Sequence, residues 1–347
     1  MRTKNTLSAS ISVSARSVEG KSPLATITKK KPVHVQAKPL AGADLLSLGD
    51  FELPQLESLY QTAAATKEDI TPYRDALRGK TVILLFEKPS LRTRVTFEVG
   101  PSKMGAHVIY FDHGKERIGA RESVTDYGLN LERWVDCIVA RVYSQDVLVE
   151  LAGASRIPVV NALSDKYHPC QALADYFTLT ERVRGVPGLK GFKLAYVGDG
   201  NNVCASLMHG AGKFGVDMTV ICPEGYEPEP AVVDESRRFA AKSGGSIRIT
   251  SDPAAVKGAQ AVYTDTWVSM GDEAEKVARM AAFSRYRVDE RLMALAGKNA
   301  LFMHCLPAHR GAEVTDGVID SKNSVVYDQA ENRMHVQNSL LLGLLGQ

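Results

Sequence analysis

The stretch Phe86-Glu-Lys-Pro-Ser-Leu-Arg-Thr-Arg94 joins the end of a strand to the start of a helix. The apolar run at 82–86 predicts a buried strand, and Pro89 ends it because proline has no backbone N–H to donate. Ser90 is then placed to cap a helix that starts near Leu91. The unpaired N–H groups and the partial positive charge of a helix N-terminus attract anions. The stretch therefore predicts an anion site at the carboxyl end of a strand.

Two arginines of this stretch, Arg92 and Arg94, would lie in the first helical turn, where positive charge opposes the helix dipole. A sequence that keeps such a conflict often does so for a functional reason. Guanidinium groups together with the hydroxyls of Ser90 and Thr93 suit a dianionic phosphate. The alternative is a capped surface helix with a solvated basic first turn. By itself the stretch predicts an anion and leaves the chemistry open.

Length and composition indicate an ordinary globular protein of more than one domain. A chain of 347 residues is long for a single core, which favours two domains. Its 44% hydrophobic and 24% charged residues are typical of soluble proteins. No apolar run reaches the roughly 18 residues that a membrane helix needs, so we expect no membrane partner. The five cysteines are dispersed and form no C-x-x-C pair, which favours a reduced compartment over disulfides or a zinc site.

The N-terminal 43 residues differ from the rest of the chain. They hold eight Lys or Arg and one acid, Glu19, whereas the whole chain holds 42 Lys or Arg and 40 Asp or Glu. This basic, hydroxyl-rich and acid-poor segment predicts an organelle transit peptide, with the chloroplast as first choice and the mitochondrion as alternative. A disordered basic tail that binds a polyanion is the other interpretation. The remainder is mildly acidic, which argues against a nucleic-acid partner.

Apolar runs alternate with helical patterns from Asp44 onward. The predicted strands form two sets, at 81–86, 107–111, 137–141 and 158–161, and at 193–197, 218–222, 246–250, 261–265 and 301–305. Helical patterns lie between most of them, for example at 123–134 and 169–184. Strands that alternate with helices form parallel sheets from βαβ units. We predict an α/β fold of two doubly wound parallel-sheet domains joined by bridging helices, one of which starts near Pro169.

Polar or reactive clusters follow five of the predicted strands directly. They lie at residues 87–94, 141–143, 199–202, 265–270 and 305–310. Ligands of open parallel sheets bind beyond the carboxyl ends of the strands. The coincidence predicts an enzyme whose site lies between the two sheets.

Arg141, His168 and Gln171 are candidates for one side of that site. Arg141 leaves the carboxyl end of a predicted strand, although a surface arginine at a strand end is also common. The sequence His168-Pro-Cys-Gln171 opens the bridging helix, and residues three apart share a helix face. A neutral imidazole there could donate to a carbonyl oxygen while Gln171 holds an amide. The alternative is that His168 caps its own helix.

The sequence Tyr196-Val-Gly-Asp-Gly-Asn-Asn-Val203 differs from a dinucleotide-binding fingerprint. The pattern G-x-G-x-x-G needs a glycine where Val203 stands, so a dinucleotide oxidoreductase is disfavoured. Asn201 and Asn202 at a helix start instead indicate recognition of a polar group. A tight strand-to-helix turn explains the glycines in any case.

Two further clusters suit an amine substrate. In Asp265-Thr-Trp-Val-Ser-Met-Gly271 the aspartate can pair with an ammonium group and the turn amides with a carboxylate. In His304-Cys-Leu-Pro307 the histidine and Cys305 are adjacent in a strand and face opposite sides, so His304 is badly placed to activate the thiol. Cys305 is expected to orient or deprotonate an amine, or else to be an inert buried cysteine. Arg333, on a C-terminal helix, either reaches this site or caps a surface turn.

In order and spacing these clusters resemble the transcarbamylase family from about residue 44 to the end of the chain. Ser90-Leu-Arg-Thr-Arg94 is similar to the family's Ser-x-Arg-Thr-Arg signature, and His168-Pro-Cys-Gln171 to its His-Pro-x-Gln element. Asp265-x-x-x-Ser-Met-Gly271 and His304-Cys-Leu-Pro307 resemble the elements of the ornithine branch. The resemblance implies transfer of a carbamoyl group from carbamoyl phosphate to the side-chain amine of ornithine, which yields citrulline and phosphate.

The resemblance also implies an organisation of the chain. After residues 1–43 it places a carbamoyl-phosphate domain at 44–176, an ornithine domain at 177–328 and a C-terminal helix at 329–347 that returns to the first domain. It implies a homotrimer with active sites at subunit interfaces. It implies no metal and no organic cofactor.

The family's functional residues are carried over by motif. Carbamoyl phosphate would be bound by Ser90, Leu91 (through its backbone), Arg92, Thr93, Arg141, His168 and Gln171. Ornithine would be bound by Asn202, Asp265, Ser269, Met270, Cys305, Leu306 and Arg333. The catalytic groups would be Arg141, His168 and Cys305.

Three departures from the family pattern and two rival functions accompany this assignment. Leu91 stands where the family has Thr or Met, which matters little because that position contributes its backbone only. Pro101 falls inside the helix that follows the signature and is expected to break or shorten it. Arg117 stands where the family often has a glutamine that reaches a neighbouring subunit, so no contact of that kind is predicted. The rivals are a transcarbamylase for another amine (putrescine or an acylated ornithine) and a non-catalytic binding protein on the same fold.

Overall fold

A computed structural model describes residues 40–268 and 273–346 of the chain. Most of the basic N-terminal segment, together with Ser269 and Met270, lies outside the described residues. In the part that is described, none of the helices has the length and apolar character needed to cross a membrane.

The first sheet has four parallel strands in the order β2-β1-β3-β4. The strands are β1 (Thr81–Phe86), β2 (His107–Asp112), β3 (Cys137–Arg141) and β4 (Val159–Leu163). The helices of this part are α1 (Leu53–Glu68), α2 (Leu91–Lys103), α3 (Val124–Leu131) and α4 (Gln145–Ala154). The inner strands β1 and β3 are almost wholly apolar and buried because helices cover both faces of a parallel sheet.

The second sheet has five parallel strands in the order β7-β6-β5-β8-β9. The strands are β5 (Lys193–Val197), β6 (Asp217–Ile221), β7 (Ser246–Thr250), β8 (Ala261–Thr264) and β9 (Leu301–His304). The remaining helices are α5 (Pro169–Arg182), α6 (Asn202–Phe214), α7 (Pro230–Ser243), α8 (Lys276–Phe283), α9 (Glu290–Ala296), α10 (Asp316–Ile319) and α11 (Val326–Leu345). Every predicted strand is present with ends that differ by at most two residues, and the predicted fold class is confirmed.

Helices α5 and α11 pack against elements of both sheets. The Tyr60 hydroxyl of α1 donates to the Leu173 carbonyl of α5 at 2.9 Å, and the Tyr176 hydroxyl of α5 donates to the Leu207 carbonyl of α6 at 2.6 Å. In α11 the Ser339 hydroxyl donates to the Leu59 carbonyl of α1 at 2.6 Å. The chain thus crosses to the second sheet along α5 and returns to the first along α11.

Pro101 does not break α2, contrary to expectation. The helix continues to Lys103, and Pro101 lies in its last turn, where only one backbone hydrogen bond is lost. The Pro101 carbonyl still accepts from the N–H groups of Met104 and Ala106 at 2.9 and 3.1 Å. The preceding residue, Gly100, allows close packing, since a Cβ atom there would lie 2.0 Å from Asn338 Oδ1 of α11.

Candidate active site

A cavity of about 780 Å³ lies beyond the carboxyl ends of strands from both sheets. Its lining includes all the predicted site residues that the structure describes: Ser90, Leu91, Arg92, Thr93, Arg141, His168, Gln171, Asn202, Asp265, Cys305, Leu306 and Arg333. The positions of Ser269 and Met270 lie outside the described residues.

Ser90 caps α2 as the sequence predicts. Its Oγ accepts from the Thr93 N–H at 3.3 Å, and its hydroxyl donates to Thr93 Oγ1 at 3.1 Å. Thr93 Oγ1 also accepts from Arg333 Nη2 at 3.0 Å. The helix start and the distant C-terminal helix therefore meet at one buried hydroxyl.

The two first-turn arginines of α2 have different surroundings. Arg92 lines the cavity, and partial burial lowers its pKa. Arg94 instead donates to Glu98 at 3.0 Å and stacks on Tyr110, with its guanidinium carbon 3.8 Å from the ring centroid. The inference that both arginines serve the anion is wrong for Arg94, because a local acid and an aromatic ring stabilise its charge.

Three guanidinium groups converge on the cavity, those of Arg92, Arg141 and Arg333. Burial lowers the pKa of Arg141 to about 9, and the charges of Arg333 and Arg92 contribute to the shift. The Nε atoms of Arg141 and Arg333 are buried and have no hydrogen-bond partner among the described residues. Repulsion between like charges and unpaired buried donors both disfavour the empty site, and a bound dianion would relieve both.

His168 opens α5 without capping it. No cap hydrogen bond comes from its side chain, so the capping alternative is wrong, and its backbone N–H donates to Ser206 Oγ at 2.7 Å. Burial and the nearby charges of Arg333 and Arg141 hold the pKa of His168 well below its usual range. The imidazole is therefore neutral, and its buried Nδ1 has no partner in the described part of the chain.

Gln171 lies one turn further along the same face of α5. Its Oε1 accepts from Arg333 Nη1 at 2.8 Å, and its Nε2 donates to Asp175 Oδ1 at 2.8 Å. Arg333 is 3% exposed and so belongs to the site, not to a surface turn. The sequence left those two alternatives open.

Asp265 and Cys305 form a pair on the opposite side of the cavity. The Cys305 thiol donates to Asp265 Oδ1 at 2.9 Å, and Asp265 Oδ2 accepts from Asn201 Nδ2 at 2.9 Å. Burial and the negative charge of Asp265 raise the pKa of Cys305 well above its usual value. Cys305 is thus a neutral thiol beside a carboxylate, an arrangement suited to holding an amine and not to nucleophilic attack.

His304 does not reach Cys305, as the strand geometry predicts. Its Nδ1 accepts from the Leu306 N–H at 2.8 Å, and its Nε2 lies 3.3 Å from Glu313 Oε1. Asp265, His304 and Cys305 have potential ligand atoms within 4.8 Å of one another. Both nitrogens of His304 are already engaged, so these three residues do not fit a metal site as they stand.

Asn202 and Leu306 lie at the borders of the cavity. Asn202 Nδ2 donates to the Ser164 carbonyl at 2.6 Å and so connects α6 to the loop that precedes α5. Leu306 has a φ of 57°, a left-handed conformation that is uncommon for a branched side chain and occurs often at functional sites.

Lys88 is a cavity residue that the sequence reasoning missed. It lies directly after β1 and lines the cavity, and its Nζ is 4.3 Å from the centroid of the Tyr143 ring. Arg117 is exposed and also stacks on that ring, at 4.2 Å from its centroid. The sequence could have indicated Lys88, because it falls within the stretch 86–94 at the carboxyl end of a predicted strand, where ligands bind.

The fold and the site define an α/β enzyme of two parallel sheets with an anion pocket between them. Residues 43–181 match the family model described as "Aspartate/ornithine carbamoyltransferase, carbamoyl-P binding domain". Residues 190–344 match its companion, the "Asp/Orn binding domain". The chain belongs to the aspartate/ornithine carbamoyltransferase family, which confirms the family predicted from the sequence.

Individual relatives are similar to this chain over almost their full length. An ornithine carbamoyltransferase of Shewanella oneidensis is 50% identical over 299 residues, which cover 86% of this chain and 98% of the relative. The structure of ornithine carbamoyltransferase from Pyrococcus furiosus matches with a TM-score of 0.85 and 46% identity, covering 89% of this chain and 98% of that one. An acetylornithine transcarbamylase complexed with acetylcitrulline matches with a TM-score of 0.79 and 32% identity, covering 88% and 99%.

Proposed function

We propose that the protein transfers the carbamoyl group of carbamoyl phosphate to the side-chain amine of L-ornithine, giving L-citrulline and phosphate. One observation carries this function: a cluster of three guanidiniums and a neutral imidazole faces an acid–thiol pair across a single cavity. The first group suits a phosphate with a polarised carbonyl. The second suits a primary amine.

Carbamoyl phosphate binds at the start of α2 and α5. The α2 N-terminus, Ser90, Thr93 and Arg92 hold the phosphate, with the Leu91 backbone completing the turn. Arg141 and neutral His168 donate to the carbamoyl oxygen, on which negative charge develops during attack. Gln171 presents its carbonyl oxygen on the same side and can accept from the carbamoyl NH₂ group.

Ornithine binds on the side of the second sheet. Its amino-acid end is held by Asn202 and Asp265 and, as the resemblance implies, by Ser269 and Met270. Cys305 and Leu306 lie beside its side-chain amine, and Arg333 closes the site from α11. The neutral amine attacks the carbamoyl carbon and forms a tetrahedral intermediate, from which the C–O bond to phosphate breaks. The amine proton leaves with solvent or phosphate. Preorganised donors and the proximity of the two substrates lower the barrier.

A citrulline assay with a panel of amines tests this function. The protein without residues 1–39 is mixed with carbamoyl phosphate and ornithine, N-acetylornithine or putrescine, and carbamoylated product and phosphate are measured. We expect citrulline from ornithine and at least a hundredfold lower turnover with the other two amines. Absence of all product would mean a non-catalytic protein. The acetylornithine transcarbamylase relative makes the acylated amine the second candidate.

We also propose the homotrimer that the resemblance implies. Two exposed apolar stripes flank the outer edge of the first sheet: Leu91, Val95 and Val99 on α2, and Ile109 and Phe111 on the edge strand β2. Exposed apolar stripes beside an open sheet edge are typical of a surface that another chain covers. A trimer built through this edge brings the start of α2 close to a neighbouring subunit.

The basic N-terminal segment is proposed to direct the protein to an organelle, with the chloroplast as first choice. Its charge and its Ser and Thr content support this, and the family match begins at residue 43. A fluorescent fusion of residues 1–43, expressed in plant cells, distinguishes plastid from mitochondrion. Diffuse fluorescence would contradict an organelle address.

A further inference from the structure

Asp175 is a buried carboxylate behind the cavity that takes no part in the chemistry described above. It lies on α5, one turn after Gln171, and is fully buried without lining the cavity. It accepts three hydrogen bonds from three different elements: Gln171 Nε2 of α5 at 2.8 Å, Gln329 Nε2 of α11 at 2.8 Å and the Tyr263 hydroxyl of β8 at 3.0 Å.

An ionised carboxylate only accepts, so Asp175 determines which way the two amides point. The Gln171 nitrogen faces Asp175, which leaves Gln171 Oε1 to accept from Arg333 at 2.8 Å. If this amide were turned over, its NH₂ group would face a guanidinium and its oxygen would face a carboxylate. Both contacts would be repulsive, and so the acceptor oxygen Oδ1 of Asp175 maintains the bond between Gln171 and Arg333.

Asp175 orients the Gln329 amide in the same way, on the amine side of the cavity. Gln329 also turns its nitrogen to Asp175, which leaves its Oε1 to accept from the His304 N–H at 3.1 Å. His304 directly precedes Cys305. The third donor, Tyr263, precedes Asp265 by two residues at the end of β8. One carboxylate is therefore connected to the supports of both substrate sites.

The electrostatic surroundings of Asp175 fit this role. Burial raises its pKa to about 6, although the three donated hydrogen bonds and the charge of Arg333 oppose the shift. Above that pH the group is ionised and is an acceptor only.

We propose that Asp175 is a positioning residue that sets the orientation of the Gln171 and Gln329 amides and so aligns the two substrate sites with each other. The inference rests on the proposed function for the identity of the substrates. The hydrogen-bond network itself is independent of that identity.

The test compares Asp175→Asn with Asp175→Leu. The asparagine oxygen can accept both amide bonds, and its nitrogen can donate to the Tyr263 hydroxyl, so this conservative variant keeps the orientation. Leucine has a similar volume and accepts nothing. We expect Asp175→Asn to stay within about threefold of the parent in KM for carbamoyl phosphate and in Kd for inorganic phosphate, and Asp175→Leu to raise both about tenfold or more. Equal effects of the two variants, or a folded Asp175→Leu protein with parental values, would overturn the proposal.

Phosphate binding is followed by calorimetry without any amine, which separates this proposal from the proposed activity. A parent protein that binds phosphate but makes no citrulline would refute the activity alone.

A second pair of variants, Gln329→Met and Tyr263→Phe, tests the proposal if leucine at position 175 prevents folding. We expect Gln329→Met to raise KM for ornithine about fivefold with phosphate Kd unchanged. Tyr263→Phe removes only the bond to Asp175 Oδ2 and leaves both amide bonds to Oδ1, so it should change neither value by more than about twofold. An unchanged ornithine KM in Gln329→Met would contradict the role given to Asp175.

Discussion

At the scale of single residues, Arg92 and Arg94 show what a motif can and cannot specify. Both follow the same helix cap and both oppose the helix dipole. Only Arg92 lines the cavity, whereas Arg94 is turned outward to Glu98 and Tyr110. Neighbours at a distance in sequence, such as Tyr110 on β2, decide the role of each arginine.

The arginine pair provides a matched prediction. Arg92→Ala removes a charge-assisted contact to phosphate, and we expect KM for carbamoyl phosphate to rise about a hundredfold, which corresponds to about 3 kcal/mol. Arg94→Ala loses an exposed ion pair and a ring contact, so KM should stay within about threefold. Steady-state kinetics and melting curves of both variants check this. Parental kinetics in Arg92→Ala would show that its role is structural.

The neutral state of His168 leads to a prediction about pH. A lowered pKa means that the imidazole takes up a proton only when the pH falls well below 6.5, so it stays neutral throughout the range from 6 to 9. The NMR signal of His168 can be assigned because it is absent from the spectrum of His168→Ala. We expect the chemical shift of this signal to stay constant over that pH range. A midpoint near 6.5 for this signal would mean that neither burial nor the neighbouring guanidiniums lower the pKa of His168, which would contradict its place in the site.

At the scale of elements, the contact between α2 and α11 holds the phosphate site against the C-terminal helix. Gly100 permits the approach, and Arg333, less than two turns before Asn338 on α11, reaches Thr93 at 3.0 Å across the same interface. Helix α11 thus completes a site that begins directly after β1.

This close approach predicts opposite effects for two helical glycines. Gly100→Ala would place a methyl group 2.0 Å from Asn338 Oδ1, and we expect it to destabilise the protein by about 1–3 kcal/mol. Gly153→Ala, on α4, meets nothing within 4 Å and should be neutral or stabilising by up to about 1 kcal/mol. Denaturant unfolding of both variants measures the difference. Equal stabilities would indicate that the Asn338 side chain or α11 moves aside at little cost.

At the scale of the whole molecule, the first sheet ends in an exposed edge strand, β2. Phe111 of β2 is 50% exposed, and Leu91 at the start of α2 is 76% exposed. A single copy leaves this apolar edge in water next to its own phosphate site. Assembly and activity are therefore expected to depend on each other.

A charge placed at the edge tests that dependence. We expect Phe111→Glu to lower the mass measured by light scattering from that of a trimer to that of a monomer and to reduce citrulline formation at least tenfold. Val149→Glu is the control, because Val149 is similarly exposed (53%) but lies on α4. A parent protein that is itself monomeric and active would refute the trimer.

By itself the sequence determined the strands, the caps and the clusters at the carboxyl ends of strands. The strands and caps depend on residues close together in the chain, such as the period of apolar residues and a serine three residues before the N–H group that it accepts from. The location of the clusters follows from the rule that ligands of parallel sheets bind beyond the carboxyl ends of the strands. Only the tertiary structure decided which arginine enters the cavity, that Arg333 meets Thr93, and that Asp175 accepts hydrogen bonds from both Gln171 and Gln329. These contacts join residues far apart in the chain, and their partners are selected by packing and charge, which a local pattern does not contain.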